Sequence, residues 1–477
     1  MARRKSISRR QALQAFGTLS ATAFLTQKAT AADTSAALSG PGEKAHHPAI
    51  ENRVFQTVLI DTHEHLHEEK ERLFKNPDPS IKTDDWSLLF SHYLDSDLRV
   101  AGMSKGAFDK FFSRQTDPLE KWKYLEPVWP AVKNTGYGRA VRIAMQRLYG
   151  VEDLSAATVA RAQAGYEATR RTGFYRRILR EESNIESCQV NAGPFRKSAM
   201  PTLLMQDISI VGMFAGPNFE SFGKPTGIAV RDLADWHRVI DWWFDSYGKY
   251  AVAVKSQNAY ARDIDYQRVP AEKVEQVFKR VLAHEPVTPE ERKQLEDHLF
   301  WYAVDKATEH HLPVKLHTGY YAGDSGMPLG RIAVNPGSAS DLCRLAPETC
   351  FVFMHIGYPH YEEMIALAKH YPNACLDMCW SWIINPVAAK DFLKKFLVTA
   401  PANKLFTFGG DYTVVELVLG HSVMARQGIA QALSELVEEG WLGFSDAMEL
   451  IDPIMHGNAR RVFSLAEKTR VLENVKW

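Results

Sequence analysis

Cysteine is scarce in this chain. Five thiols in 477 residues, at irregular positions, cannot all pair with one another. That excludes a disulfide scaffold and leaves the cysteines mostly as core residues. The closest two, Cys375 and Cys379, lack a second Cys/His pair nearby, so a structural zinc site is not expected there. Net charge is missing too, since 57 basic side chains meet 57 acidic ones. No electrostatic case for nucleic acid exists. No apolar run reaches the ~20 residues that a stable membrane span needs. Internal repeats and low-complexity tracts do not stand out. What is present is an ordinary mix, 45% hydrophobic, 24% charged and 11% aromatic. That mix excludes a disordered chain and a collagen-like fibre.

The first 31 residues carry six basic side chains and no acidic one. A basic start (Arg3, Arg4, Lys5, Arg9, Arg10) precedes a weakly apolar stretch, and Ala29-Thr30-Ala31 offers small residues for cleavage. This is the three-part plan of an export signal. Ser8-Arg9-Arg10-Gln11-Ala12-Leu13 resembles the twin-arginine signal, with Ala12 where that pattern prefers Phe. Export to the bacterial periplasm of an already folded protein is the expectation. Residues 1–31 are then a signal peptide, 32–50 a linker, and 51–477 the folded unit.

Eight short apolar runs follow the linker: 54–61, 185–191, 203–213, 250–255, 313–317, 350–355, 374–378 and 405–409. Amphipathic stretches lie between them, including 274–283, 290–310, 362–370, 388–397 and 414–436. Runs that are apolar throughout suit strands buried on both faces, and intervening helices suit parallel crossovers. The fold class expected is α/β, a (β/α)8 TIM barrel. A doubly wound open sheet is the alternative. It fits less well because polar residues recur at the C-terminal ends of nearly every strand. The interruption between the first and second runs, about 68–183, has a helical pattern and many aromatics. It reads as a helical insertion over the barrel mouth.

Chemistry gathers at the ends of the runs. His63 and His65 lie two apart on a strand and so project together. Lys255, His317, His355 and Asp411 end four further runs. A barrel brings these ends to one face, and burying so many ionisable groups without a counter-ion is costly. A divalent metal removes that cost by binding neutral imidazoles and a carboxylate. Zinc suits this nitrogen-rich set best, as one ion or two, with manganese or iron as alternatives. Tyr320, Tyr321, Tyr358, Trp380 and Trp382 follow run ends and serve either the pocket or the core. Arg262 is a candidate for a substrate carboxylate, against an ordinary salt bridge. Glu64 is expected to point away from the pocket.

Taken together, Asp61-Thr62-His63-Glu64-His65, Lys255, Leu316-His317-Thr318-Gly319, His355-Ile356-Gly357-Tyr358-Pro359 and Gly410-Asp411 resemble the amidohydrolase superfamily. In detail they are similar to its amidohydrolase-related branch, with aminocarboxymuconate-semialdehyde decarboxylase-like and lactonase-like members. The helical insertion and Trp380-Ser381-Trp382 are also similar to uronate isomerase. The resemblance implies that His63, His65 and Asp411 hold the first metal and that Asp411 moves the proton of an activated water. It implies that His317 and His355 hold a second metal or polarise the scissile group. Lys255 is carboxylated and bridges two metals, contacts a substrate carboxylate, or is a salt-bridged barrel lysine.

The implied catalytic residues are thus Asp411, His317 and Lys255, while Tyr320, Trp380 and Arg262 stay as the candidates for binding substrate read from their positions. The implied activity is metal-dependent hydrolysis of an amide, ester or lactone of a small organic molecule. Decarboxylation, aldose–ketose isomerisation and non-catalytic binding remain the alternatives. A small-molecule substrate and the twin-arginine export machinery are the expected partners. Self-association is left open, and neither nucleic acid nor stable membrane insertion is expected.

Overall fold

Runs that are apolar at every position must be covered on both faces, and here they become the parallel strands of one layer. The computed structural model describes residues 47–73, 81–324 and 326–477. In chain order the strands are β1 (Leu59–Glu64), β2 (Ile185–Val190), β3 (Leu204–Gln206), β4 (Ile208–Ser209), β5 (Val254–Ser256), β6 (Val314–His317), β7 (Phe351–Met354), β8 (Ala374–Asp377) and β9 (Leu405–Phe406). All pair in parallel, β1 to β3 in one ladder and β4 to β9 in another. β3 and β4 are one barrel strand broken at Asp207. Both halves meet the same neighbour, as Val252 N–H donates to the Gln206 carbonyl and Ile208 N–H to that of Ala253, each at 3.0 Å. The outer edges join where Thr62 N–H donates to Phe408 O and His65 N–H to Tyr412 O, both at 3.0 Å. The α/β barrel is therefore closed, with eight strands in the ring.

Two boundaries differ from the sequence reading. Residues 54–56 belong to a helix, Pro48–Gln56, and not to the first strand. Proline sits in its first turn, where the missing N–H costs nothing, and Ile50 and Val54 bury four residues apart on one face. The linker expected over 32–50 consequently ends before Pro48. The run 203–213 divides into β3, β4 and a short helix, Val211–Phe214. The signal peptide over 1–31 and the linker as far as residue 46 lie outside the described residues.

Between β1 and β2 the described residues form helical segments and no strand, with Leu94–Val100, Gly136–Tyr149 and Val159–Thr169 among the helices. A buried bidentate pair ties this insertion to the barrel. Arg72 Nη1 and Nη2 donate to Glu416 at 3.0 and 2.8 Å, and Glu416 lies on the helix Val415–Glu438. No helix among the described residues is long and apolar enough to cross a membrane.

The barrel interior is polar halfway up. Lys315 Nζ reaches Asp207 Oδ2 at 2.6 Å and donates to Thr62 O at 2.7 Å and Gln189 Oε1 at 3.1 Å. Below it, Ile60, Val252, Val352, Phe406 and Phe463 make an apolar floor. The ends of the strands above it carry the site.

Candidate metal centre at the barrel mouth

β1 alternates, so His63 and His65 face the same way. Their Nε2 atoms lie 3.2 Å apart, and Asp411 Oδ1 is 3.2 Å from the first and 3.4 Å from the second. Asp411 follows β9 in a left-handed conformation (φ +60°) that costs a non-glycine residue about 1–3 kcal/mol. Three contacts to β1 hold it there. Asp411 N–H donates to His63 O at 2.8 Å, Gly410 N–H to Asp61 Oδ1 at 3.1 Å, and Tyr412 N–H to Glu64 Oε2 at 2.6 Å. Gly410 is required, because a Cβ there would stand 1.8 Å from Glu64 Oε1. Glu64 thus spends its carboxyl on the backbone flanking Asp411.

Backbone carbonyls fix the tautomers of three histidines. A carbonyl only accepts, so the ring nitrogen facing it must carry the proton. His65 Nδ1 faces Asn191 O at 3.1 Å, and His355 Nδ1 faces Cys379 O at 3.0 Å. Each therefore keeps a lone pair on Nε2. His317 is reversed: Nε2 faces Tyr320 O at 2.9 Å, which leaves the lone pair on Nδ1. His355 Nε2 lies 4.0 Å from Asp411 Oδ2, and the His355 and His317 rings meet edge to face at 4.4 Å. Cys379 joins His355 and Asp411 in a second set of close donor atoms.

Burial dominates the electrostatics. Desolvation pushes His65 down to about 4 and His317 to about 3, and holds His63 and His355 well below the usual imidazole range. The Lys255 charge lowers all four further. Desolvation also pushes Asp411 up to about 7, against the attraction of Lys255. Lys255 itself falls to about 8, again mainly through burial. Neutral imidazoles, with the His65 and His355 lone pairs on Nε2 and His63 Nε2 beside them, meet a carboxylate that resists ionising, a set that a cation would satisfy. Two nitrogens and one oxygen fit a divalent metal and leave open coordination positions.

Of the residues named from sequence, His63, His65 and Asp411 form this cluster, and His355 adjoins it. His317 and Lys255 lie within its electrostatic reach. Trp380, at φ +66°, sits 5.2 Å from the His355 ring and 6.3 Å from that of His317, and Tyr320 is 5.9 Å from Trp380. Arg262 is a correction. Its guanidinium is taken by Asp265 and Asp297, each at 2.8 Å, and by Glu296 at 3.3 Å, so it is committed to carboxylates of its own fold.

The sequence reading missed Cys379 and Tyr93. Tyr93 reaches the barrel from the insertion, brings its hydroxyl toward the Asp411 carboxyl and stacks on Trp380 at 4.9 Å. Its backbone, at φ +68°, is in a region that bulky residues rarely occupy. Tyr93→Phe is expected to lower kcat/KM about tenfold, the value of one charge-assisted hydrogen bond. Steady-state kinetics check this, with unchanged metal content as the control.

Comparison with known proteins follows the same lines. A family model described as Amidohydrolase matches residues 230–465. The chain is 27% identical over 228 residues to protein fluG of Emericella nidulans, covering 46% of this chain and 26% of that protein. It therefore spans about a quarter of the length of this curated relative. A uronate isomerase of Thermotoga maritima superposes with a TM-score of 0.71 at 15% identity, over 87% of this chain and 96% of its own. A Lactobacillus casei protein described as a candidate metal-dependent hydrolase gives 0.59 at 15% identity, over 88% and 98%.

Proposed function

Because the chain belongs to the amidohydrolase superfamily, we propose that it is a metal-dependent hydrolase cleaving an amide, ester or lactone bond of a small organic carboxylate. The observation that carries this reading is the convergence of His63 Nε2, His65 Nε2 and Asp411 Oδ1 within 3.4 Å. These residues would hold one divalent ion, zinc by the donor set. Bound there, the ion would supply Lewis acidity, lowering the pKa of water toward ~7 and polarising a carbonyl.

The chain's own groups do the rest. Asp411 Oδ2, on the His355 side, takes up a proton and passes it to the leaving group. His317 and His355, neutral and with lone pairs to spare, accept hydrogen bonds from a substrate N–H or O–H. Lys255 is the cation left for a substrate carboxylate. Tyr260, 4.6 Å from the His317 ring, joins Tyr93, Tyr320 and Trp380 around the cluster, and such aromatic surroundings favour a flat substrate body.

A sugar-acid isomerase or a decarboxylase is the second reading. The likeness in fold to a uronate isomerase, over 87% of this chain, favours it. The aromatic surroundings weigh against a polyhydroxylated chain, which needs many polar partners.

Turnover in H2(18)O separates the two. Lactones, amides and uronates are screened against protein of measured metal content. Uptake of 18O into a product acid supports hydrolysis, and an unlabelled ketose or released CO2 overturns it.

The pH dependence follows from Lys255. Its ammonium is present below about 8 and is lost as pH rises through that value. Binding of a carboxylate substrate should therefore weaken on the alkaline side. Lys255→Met should raise KM about 10–100-fold and remove that alkaline limb, as expected for one charge-assisted contact of about 1.5–3 kcal/mol. We also propose export by the twin-arginine route, which N-terminal sequencing of periplasmic material would check.

A further inference from the structure

A second convergence of imidazoles lies outside the barrel mouth. It sits between the helices Leu233–Tyr247 and Pro289–Glu309. His237 Nε2 and His298 Nε2 are 3.0 Å apart. His298 Nδ1 donates to Val269 O at 2.7 Å, so the lone pair of that ring is on Nε2, facing its partner. The His237 ring stacks on Tyr302 at 3.9 Å and 6°, which fixes its plane. Tyr302 OH in turn donates to Asp241 at 3.0 and 3.1 Å, and Lys306 Nζ lies 3.5 Å from Asp241. The motif is thus two rungs, one helical turn apart on each helix: His237 facing His298, and Asp241 facing Tyr302. Both imidazoles are partly exposed.

We propose that His237 and His298 form a second metal site for a borderline divalent transition ion, Cu2+ ahead of Ni2+ and Zn2+, which clamps the two helices. The spacing is right. Metal–nitrogen bonds of about 2.0–2.1 Å over a 3.0 Å separation give two cis positions near a right angle. The pair at the barrel mouth has almost the same spacing, 3.2 Å. The other nitrogen of His298 is held by a backbone carbonyl, as is usual for metal-bound histidines. The chemistry selects the ion. Asp241 is occupied by Tyr302 and Lys306, so the two donors that meet are both nitrogens, with Glu272 nearby as a charge. Mg2+ and Ca2+ prefer oxygen, whereas imidazole suits copper, nickel and zinc in the Irving–Williams order.

On binding, two nitrogen lone pairs replace two waters of the ion. His237 moves its Nε2 proton to Nδ1 through solvent, and no net proton is released. The groups facing the pair are Asp241, Lys306 and Glu272. Burial already keeps both rings neutral, with His237 at about 4, so neither proton competes with the ion near neutrality.

The experiment is a Cu2+ titration of the full-length protein already loaded with zinc, followed by calorimetry and by the nitrogen couplings of the copper EPR signal. One copper equivalent with two nitrogen ligands is expected, together with a rise in Tm. His237→Ala and His298→Ala should each weaken it about tenfold or more, and the double variant should lose it, with zinc content unchanged. His237→Gln, which keeps a hydrogen-bonding group between the helices, should also lose it. His63→Ala should retain it, which separates this site from the one at the mouth. A copper equivalent that persists unaltered in the double variant, or none in the unaltered protein, overturns the proposal.

Discussion

Replacing His63 with alanine is expected to abolish both turnover and metal uptake at the barrel mouth. His63 is fully buried and supplies one of three donor atoms that meet within 3.4 Å. Without it, His65 and Asp411 leave one nitrogen and one oxygen in place of the three protein donors typical of a catalytic site. Outer-shell changes alone typically cost 10–100-fold in metal affinity, and loss of a donor should exceed that range. The variant also leaves a cavity beside Asp207 and Lys315, so folding has to be read separately. His63→Gln fills most of the space and keeps a polar atom, yet cannot put an imidazole nitrogen at the same point. Metal content by mass spectrometry and Tm should be measured on both variants. Full metal occupancy in either, with the fold intact, would remove the site described here.

Much of this arrangement was legible before any coordinates, for reasons that differ by residue. The strands were visible because a parallel barrel strand is apolar at every position, a pattern few other elements share. His63 and His65 were legible because their spacing and the strand period settle their common direction. Tyr93 was not. It arrives from a helical insertion, and nothing in the local pattern says that this residue, in an unfavoured backbone conformation, ends at Asp411. Cys379 was read only against Cys375, its neighbour in sequence, whereas its companions in space are His355 and Asp411. Arg262 shows the opposite failure. A cation just beyond a strand end resembles a substrate anchor until its three carboxylate partners are seen, and those come from residues 265, 296 and 297. The misplaced start of the first strand has the same origin, because Val54 satisfies a strand run and a helix face equally well.

Asp411→Asn should separate proton handling from metal holding. Asparagine is nearly isosteric and tolerates the left-handed conformation at position 411 better than most residues. The three backbone contacts from β1 should therefore survive, and the fold with them. Its side-chain oxygen can still face the two histidines, but the amide cannot take up a proton. Turnover is expected to fall by about 10²–10⁴-fold, the usual contribution of a positioned acid–base group. Metal affinity should fall less than in His63→Ala. The pH dependence of uptake gives a sharper reading. In the metal-free protein burial holds the Asp411 carboxyl up to about 7. Below that value the group is protonated and an incoming ion must expel the proton. Above it the carboxylate is already free. Metal affinity of the apo-protein should thus rise with pH up to about 7 and then level off. In Asp411→Asn that rise should vanish, because the histidines are already neutral well below it. Uptake followed by a chromogenic competitor between pH 5 and pH 9 would test both halves. A variant that keeps the wild-type slope would show that the proton displaced by the metal comes from another group.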